Sequence, residues 1–419
     1  MKLQRHLAPT SAPISWREIG LALCGIGRGQ QERAAREAEL RAYFGVKHVF
    51  LLSSGKAALT TILQGLIAGS SRRKVIIPAY TCYSLPSAII RADCKVVLCD
   101  VDPHTLDFDY SDLQRQVDEE TLCIVAPHLL GQIADIPRVR AIAQTHRVTV
   151  VEDAAQAMGG RLNGRWIGTQ GDVGFFSLGR GKNVTAGSGG VILTDSDRLA
   201  SQLSSIYEKA QDASLDSQIM NVLMVVAMRL ATHPLLYWLP AGLPFLGLGE
   251  TIYDPHFVIH KMDGMRAGLL GGWEERLRVS NDGRADRALR YMDFLPASLQ
   301  QVDPIRTRGV AYLRLPLLMP STEAKTAVCA LAKGEGLGVS SLYPTPISDI
   351  PELSGMFSLR IFEGARALAE RLVTLPVHRY VDAKDIQRIC RSLQVVSESI
   401  PPATDRNEPV LSVGTSRTY

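Results

Sequence analysis

Between about Phe44 and Thr194, apolar runs of strand length alternate with stretches whose apolar positions recur at helical spacing. Val49–Ser53, Lys74–Pro78, Lys95–Asp100, Cys123–Pro127 and Val148–Glu152 read as strands. Lys56–Ala68, a stretch from about Ser84, and Ile136–His146 read as helices. Repeated β-α units of this kind predict an α/β fold with a mostly parallel sheet covered by helices. Ligands in such sheets sit beyond the carboxyl ends of the strands. After about Gly271 the pattern changes. A helix over Trp273–Leu295, a strand over Ala311–Leu318, a helix over Ser321–Glu335, a strand-like Val339–Tyr343 and a last helix beyond Asp382 predict a smaller α+β domain. The expected organisation is a large domain over 15–270, a small C-terminal domain over 271–400 and a polar, disordered tail over 401–419.

One stretch fits neither pattern. Ser217–Gly249 contains VLMVVAM and then LLYWLPAGLPFLGLG. A spanning helix needs about 20 uninterrupted apolar residues, and Arg229, His233, Pro234, Pro240 and Pro244 interrupt this run. A buried subunit or domain contact, or a peripheral contact with a membrane surface, is expected rather than a span. The 419 residues are 46 % hydrophobic and 21 % charged, a mix that excludes collagen, coiled coil and global disorder. Lys and Arg number 46 against 42 Asp and Glu, too even a balance to predict nucleic acid as a partner. The seven cysteines form no CxxC pair and no Cys/His cluster, so no metal site is expected and the thiols suit a reducing compartment. The opening MKLQRHLAPTSAPIS has early charges and no apolar core behind them. It does not read as a secretory signal, and a cytoplasmic location is expected.

The densest chemistry lies between Val150 and Thr194. VVEDAAQAMGG puts Asp153 and Gln156 just past a strand, where an acid points into the ligand crevice. GDVGFFSLGRGKNVTAGSGG follows, with Ser177 ending an apolar run and Lys182 in a Gly-rich turn. A lysine desolvated there becomes nucleophilic. Earlier, a strand runs into Ser53–Ser54–Gly55 and then a helix, whose free N–H groups and positive end suit a phosphate. Singly these features are bland. Lys182 reads as a surface lysine, Asp153 as a helix cap, and Ser-Ser-Gly as a common β-α turn. The loop is no Walker A, since Asn183 replaces Ser/Thr, and GIGRG near Gly25 lacks the dinucleotide spacing. Together, one phosphate cradle, one acid and one lysine suggest pyridoxal 5′-phosphate (PLP).

With these residues in place, the chain resembles the DegT/DnrJ/EryC1/StrS group of PLP-dependent aminotransferases, fold type I, which act mostly on keto-sugar nucleotides. The resemblance runs through SSGKAAL, VIIPAYTC, CDVDPHTLDFD, PHLLGQIAD, VVEDAAQAMGG and FFSLGRGKNVTAGSGG, and returns at LYPTPI and LPVH. It implies that Lys182 is the Schiff-base lysine and proton shuttle, that Asp153 pairs with the pyridine nitrogen, and that Gln156 contacts the phenolic oxygen. It further implies that Ser177 and the Gly55 and Lys56 backbone amides hold the phosphate, and it places His128 at the substrate side. A homodimer with shared active sites, an amino donor such as L-glutamate and a keto-sugar acceptor are implied as well.

The departures matter. Lys56 stands where the group usually has Thr, removing a hydroxyl and adding a cation. Cys82 falls where an aromatic ring often stacks on the cofactor, with Tyr80 or Tyr83 as substitutes. Ile347 and Ser348 occupy a stretch where a substrate-side His is common. The segment from about Ser204 to Asn281 diverges, with Asn221 a candidate for a partner-subunit contact. The alternative is a non-transaminating PLP-binding regulatory or membrane-associated protein of the same fold. A sugar dehydratase of the group is disfavoured, because that branch replaces the lysine with histidine.

Overall fold

The computed structural model describes residues 5–243, 251–296, 299–301, 311–357 and 360–399. A seven-stranded sheet is built from β1 (His48–Leu52), β2 (Lys74–Pro78), β3 (Lys95–Cys99), β4 (Thr121–Pro127), β5 (Thr149–Asp153), β6 (Val173–Ser177) and β7 (Gly190–Thr194). Their spatial order is β1-β7-β6-β5-β4-β2-β3. Only β7 runs against its neighbours, β1 and β6; the other pairings are parallel. The carboxyl ends of β1, β2, β4, β5 and β6 therefore share one edge. The strands are buried almost throughout, as a sheet covered on both faces requires.

Helix Gly55–Ala68 follows β1 directly. Ser54 caps it by accepting from Ala57 N–H at 3.1 Å. Ala57, Ala58, Leu59, Ile62 and Leu63 bury its inner side in the main core. A Cβ at Gly190 would lie 2.2 Å from the Ser54 carbonyl oxygen, so β7 can pass this turn only as glycine.

A three-stranded antiparallel sheet of Gln300–Gln301, Leu315–Leu318 and Leu372–Leu375 forms a second centre, packed by helices Thr322–Glu335 and Ala383–Ser399. Two expected strands are shorter here. Ala311–Arg314 is loop, and Val339–Tyr343 makes a single bridge, Ser340 to Thr374. Instead of pairing along its length, this segment is strapped onto the large sheet. Ile347 N–H donates to the Ala79 carbonyl at 2.8 Å, and Tyr83 Oη meets Thr345 Oγ1 at 2.7 Å. The expected tail over 401–419 lies outside the described residues.

The apolar segment begins as helix Leu215–Ala231. Val222 and Val225 pack inward, Val225 against Gly187. Leu215, Ile219, Met220, Leu223 and Met224 are exposed on its other side, and Leu235, Leu236, Trp238 and Leu239 continue the exposed surface. No helix among the described residues is long and apolar enough to cross a membrane.

Candidate active site

Strand alternation sets the two neighbouring acids on opposite faces of β5. Glu152 is fully buried and its carboxylate is saturated. His128 Nε2 lies 2.9 Å from Oε1, and the N–H groups of Gly168, Gln170 and Gly171 donate at 2.6, 2.7 and 2.9 Å. Burial would raise this carboxyl, but His128 and the backbone donors outweigh it and hold it below the usual range. Ala134 N–H donates to His128 Nδ1 at 3.1 Å, which leaves Nε2 as the nitrogen that donates to Glu152. Both nitrogens of His128 are thus spent on protein. The expectation that His128 faces substrate is corrected: it anchors Glu152, and its backbone N–H anchors the Asp153 carbonyl at 3.0 Å.

Asp153 ends β5 and is 6 % exposed. One oxygen accepts from Ala155 N–H at 3.0 Å. Burial pushes its carboxyl up; the Ala155 bond and the charge of Lys182 oppose the rise. Lys182 is half-buried on the loop between β6 and β7. Burial lowers its ammonium pKa, Cys82 and Asp153 resist that, and Arg314 adds to it. No hydrogen bond to Nζ is made among the described residues. A lysine so placed holds more neutral amine at neutral pH than a surface lysine does. Its backbone is clamped: Arg284 donates to the Lys182 carbonyl at 3.5 Å, and Thr10 donates to the Gly181 carbonyl at 2.7 Å.

The helix start and Ser177, expected to hold a phosphate, lie side by side. A Cβ at Gly55 would lie 3.0 Å from Ser177 Cβ and 3.2 Å from its Oγ, so the helix start and the Ser177 hydroxyl converge on one spot. The Gly55 and Lys56 N–H groups meet no acceptor among the described residues. These donors, the buried acid and the lysine fit PLP. The Lys56 side chain takes no part in the cradle. Its ammonium pairs with Asp254 at 3.1 Å and sits 4.4 Å from the Phe257 ring centroid, so the added cation is already matched.

Gln156 spends its amide on Tyr343 Oη at 3.2 Å and accepts from Leu130 N–H at 3.2 Å. The hydroxyls of Tyr80 and Tyr83, expected beside the cofactor ring or substrate, are engaged by the strap. Tyr80 Oη bonds the Tyr343 backbone and Tyr83 Oη bonds Thr345, so both hold the strap. Cys82 itself is half-buried, and its Sγ donates to Ser84 Oγ at 3.3 Å. Asn221 lies one turn before Val225, its Nδ2 without a partner among the described residues.

Three residues escaped the sequence reading: Tyr343, Arg284 and Arg314. Arg284 is 1 % exposed and binds the carbonyls of Leu313, Ser11 and Lys182, with no carboxylate among its described partners. Burial, with Arg314 and Arg287 nearby, drops it to about 9. Arg314 donates to Ser340 Oγ at 3.2 Å and leaves its buried Nε unpartnered. A Leu-Arg-Leu stretch entering a strand was the only trace of it in the sequence.

A family model described as the DegT/DnrJ/EryC1/StrS aminotransferase family matches residues 26–394. A pleiotropic regulatory protein of Geobacillus stearothermophilus is 38 % identical over 165 residues, 39 % of this chain and 44 % of that one. For that relative, the matched part is under half its length. A UDP-N-acetyl-3-dehydro-alpha-D-glucosamine 3-aminotransferase of Acidithiobacillus ferrooxidans is 28 % identical over 92 % of this chain and 94 % of its own. The PLP form of a putative sugar aminotransferase from Streptococcus pneumoniae superposes with TM-score 0.76 at 20 % identity, covering 94 % of this chain and 99 % of that one. The likeness in architecture is that of fold-type-I aminotransferases. The chain belongs to the DegT/DnrJ/EryC1/StrS aminotransferase family.

Proposed function

We propose that the protein moves the amino group of L-glutamate to the keto group of a nucleotide-linked sugar. The observation that carries this reading is that a desolvated Lys182 and the buried Asp153 feel each other's charge, and that the helix start at Gly55 converges with the Ser177 hydroxyl. The cofactor, when bound, supplies an electron sink for the carbon that loses or gains the proton.

The chain supplies the rest. Asp153 would hold the ring nitrogen, and its burial makes that contact strong. Ser177 Oγ and the Gly55 and Lys56 amides would hold the phosphate. Lys182 Nζ takes the substrate proton and returns it, which its lowered basicity suits. Arg284 and Arg314 leave the pocket with more positive than negative charge, which favours an anionic donor. The unpartnered Arg314 Nε supports a place for the donor carboxylate at this side. The named relative that acts on a UDP-linked keto sugar supports the acceptor class. The exposed apolar side of Leu215–Ala231 and the unpartnered Asn221 amide support a second copy completing the site.

A second reading keeps the cofactor without turnover. Cys82 in the ring position and the likeness to a regulatory protein favour it. The glutamate half-reaction separates the two. Loss of the cofactor's yellow absorbance on adding glutamate, followed by recovery with a UDP-linked 3-keto sugar, supports transamination. Yellow protein that no amino acid bleaches supports the second reading.

A further inference from the structure

The parallel strands have a second edge, where β5 and β6 begin and β7 ends. A groove of about 770 Å³ lies there, and no residue assigned to the active site lines it. Four arginines ring it: Arg140, Arg147, Arg165 and Arg198. The last three make no ion pair or hydrogen bond through their guanidinium groups among the described residues. The two acids in the wall are already engaged. Asp172 accepts from Val150 N–H at 2.8 Å and pairs with Arg140 at 3.4 Å, and Asp195 accepts from Lys47 N–H at 2.8 Å. On the same wall Gln170 is 7 % exposed, yet its Nε2 has no partner among the described residues.

An unsatisfied buried amide donor costs free energy unless something accepts from it. Uncompensated guanidinium groups around one concavity repel one another unless an anion lies between them. Three guanidinium groups without partners among the described residues on one groove carry more positive charge than a single carboxylate offsets, and a phosphate chain supplies several negative oxygens at once. No aromatic side chain lines the groove, so nothing there stacks on a nucleobase. We propose that this groove binds a diphosphate or longer phosphate chain, held by Arg147, Arg165 and Arg198 with the Gln170 amide at its floor.

Calorimetry on the PLP-loaded protein with inorganic pyrophosphate tests the assignment. One saturable site is expected. Arg165→Ala and Arg198→Ala, both exposed positions, are each expected to weaken it by about tenfold. Gln170→Leu is expected to weaken it less. Protein reduced with borohydride, so that the cofactor is fixed in place, should bind pyrophosphate unchanged. UDP compared with pyrophosphate names the source: equal affinity points to free phosphate chains, and tighter UDP binding to a nucleotide. No saturable binding, binding that both arginine variants retain in full, or binding lost on reduction would overturn the proposal.

Discussion

At position 182 the physics is a contest between burial and charge. Removing an ammonium from water favours the neutral amine, and the Asp153 carboxylate only partly restores the charge. Asp153 feels the reverse pull. Asp153→Asn keeps the shape and removes the charge. It should still take up PLP, and turnover should fall by roughly 10²–10⁴-fold; an enzyme at full rate would refute the role given to this carboxylate. His128 tests the layer beneath. In His128→Ala the buried Glu152 loses one of four donors, which should cost about 1.5–3 kcal/mol, read as a lower midpoint in urea. Unchanged stability would mean the His128–Glu152 contact carries nothing. Asp153 stood out in the sequence because it falls at the end of an apolar run, where an α/β sheet gathers its chemistry. Glu152 was passed over because a buried acid one position from a functional one has the same sequence context. Its role shows only when Gly168–Gly171 folds back onto it.

At the scale of elements, strands and helices followed from periodicity, but the strap over 343–347 did not. Its partners are the hydroxyls of Tyr80 and Tyr83, more than 260 residues away along the chain. No local pattern announces such pairing, and so Val339–Tyr343 read as a strand. Arg284 and Arg314 were hidden for the same reason, since a lone arginine in a helix or before a strand reads as a solvated cation. The GG pair at the start of β7 was legible as a motif, and the packing supplies its cause. Gly190→Ala drives a methyl into the Ser54 carbonyl. It should destabilise the fold by about 1–3 kcal/mol and weaken PLP retention, because the same turn starts the helix proposed to hold the phosphate. Thermal unfolding and cofactor retention after dialysis measure both; a variant that unfolds and retains cofactor like the parent would contradict this packing.

For the whole molecule, the LPVH stretch closes the chain on itself. His378 is 1 % exposed, with Nε2 2.8 Å from the Ala8 carbonyl, so it donates there and stays neutral. Burial lowers its pKa from 6.5 to about 3. The unfolded chain takes up a proton near pH 6.5 while the folded one refuses it until about pH 3. Stability therefore falls as pH drops through this window, by up to about 1.4 kcal/mol per unit. His378→Gln should flatten that slope, as read from urea midpoints across the range; an unaltered slope would assign acid sensitivity elsewhere.

The α/β class was visible from the alternation of runs. The fate of the apolar segment was not, since which of its apolar residues turn inward and which stay exposed is decided by packing against distant elements. The account as a whole turns on one covalent link. Borohydride reduction of the PLP-incubated protein, followed by peptide mass mapping, should place the phosphopyridoxyl group on the ε-amine of Lys182 and nowhere else. A protein that stays colourless and unlabelled, or a label on another lysine such as Lys56, would contradict it.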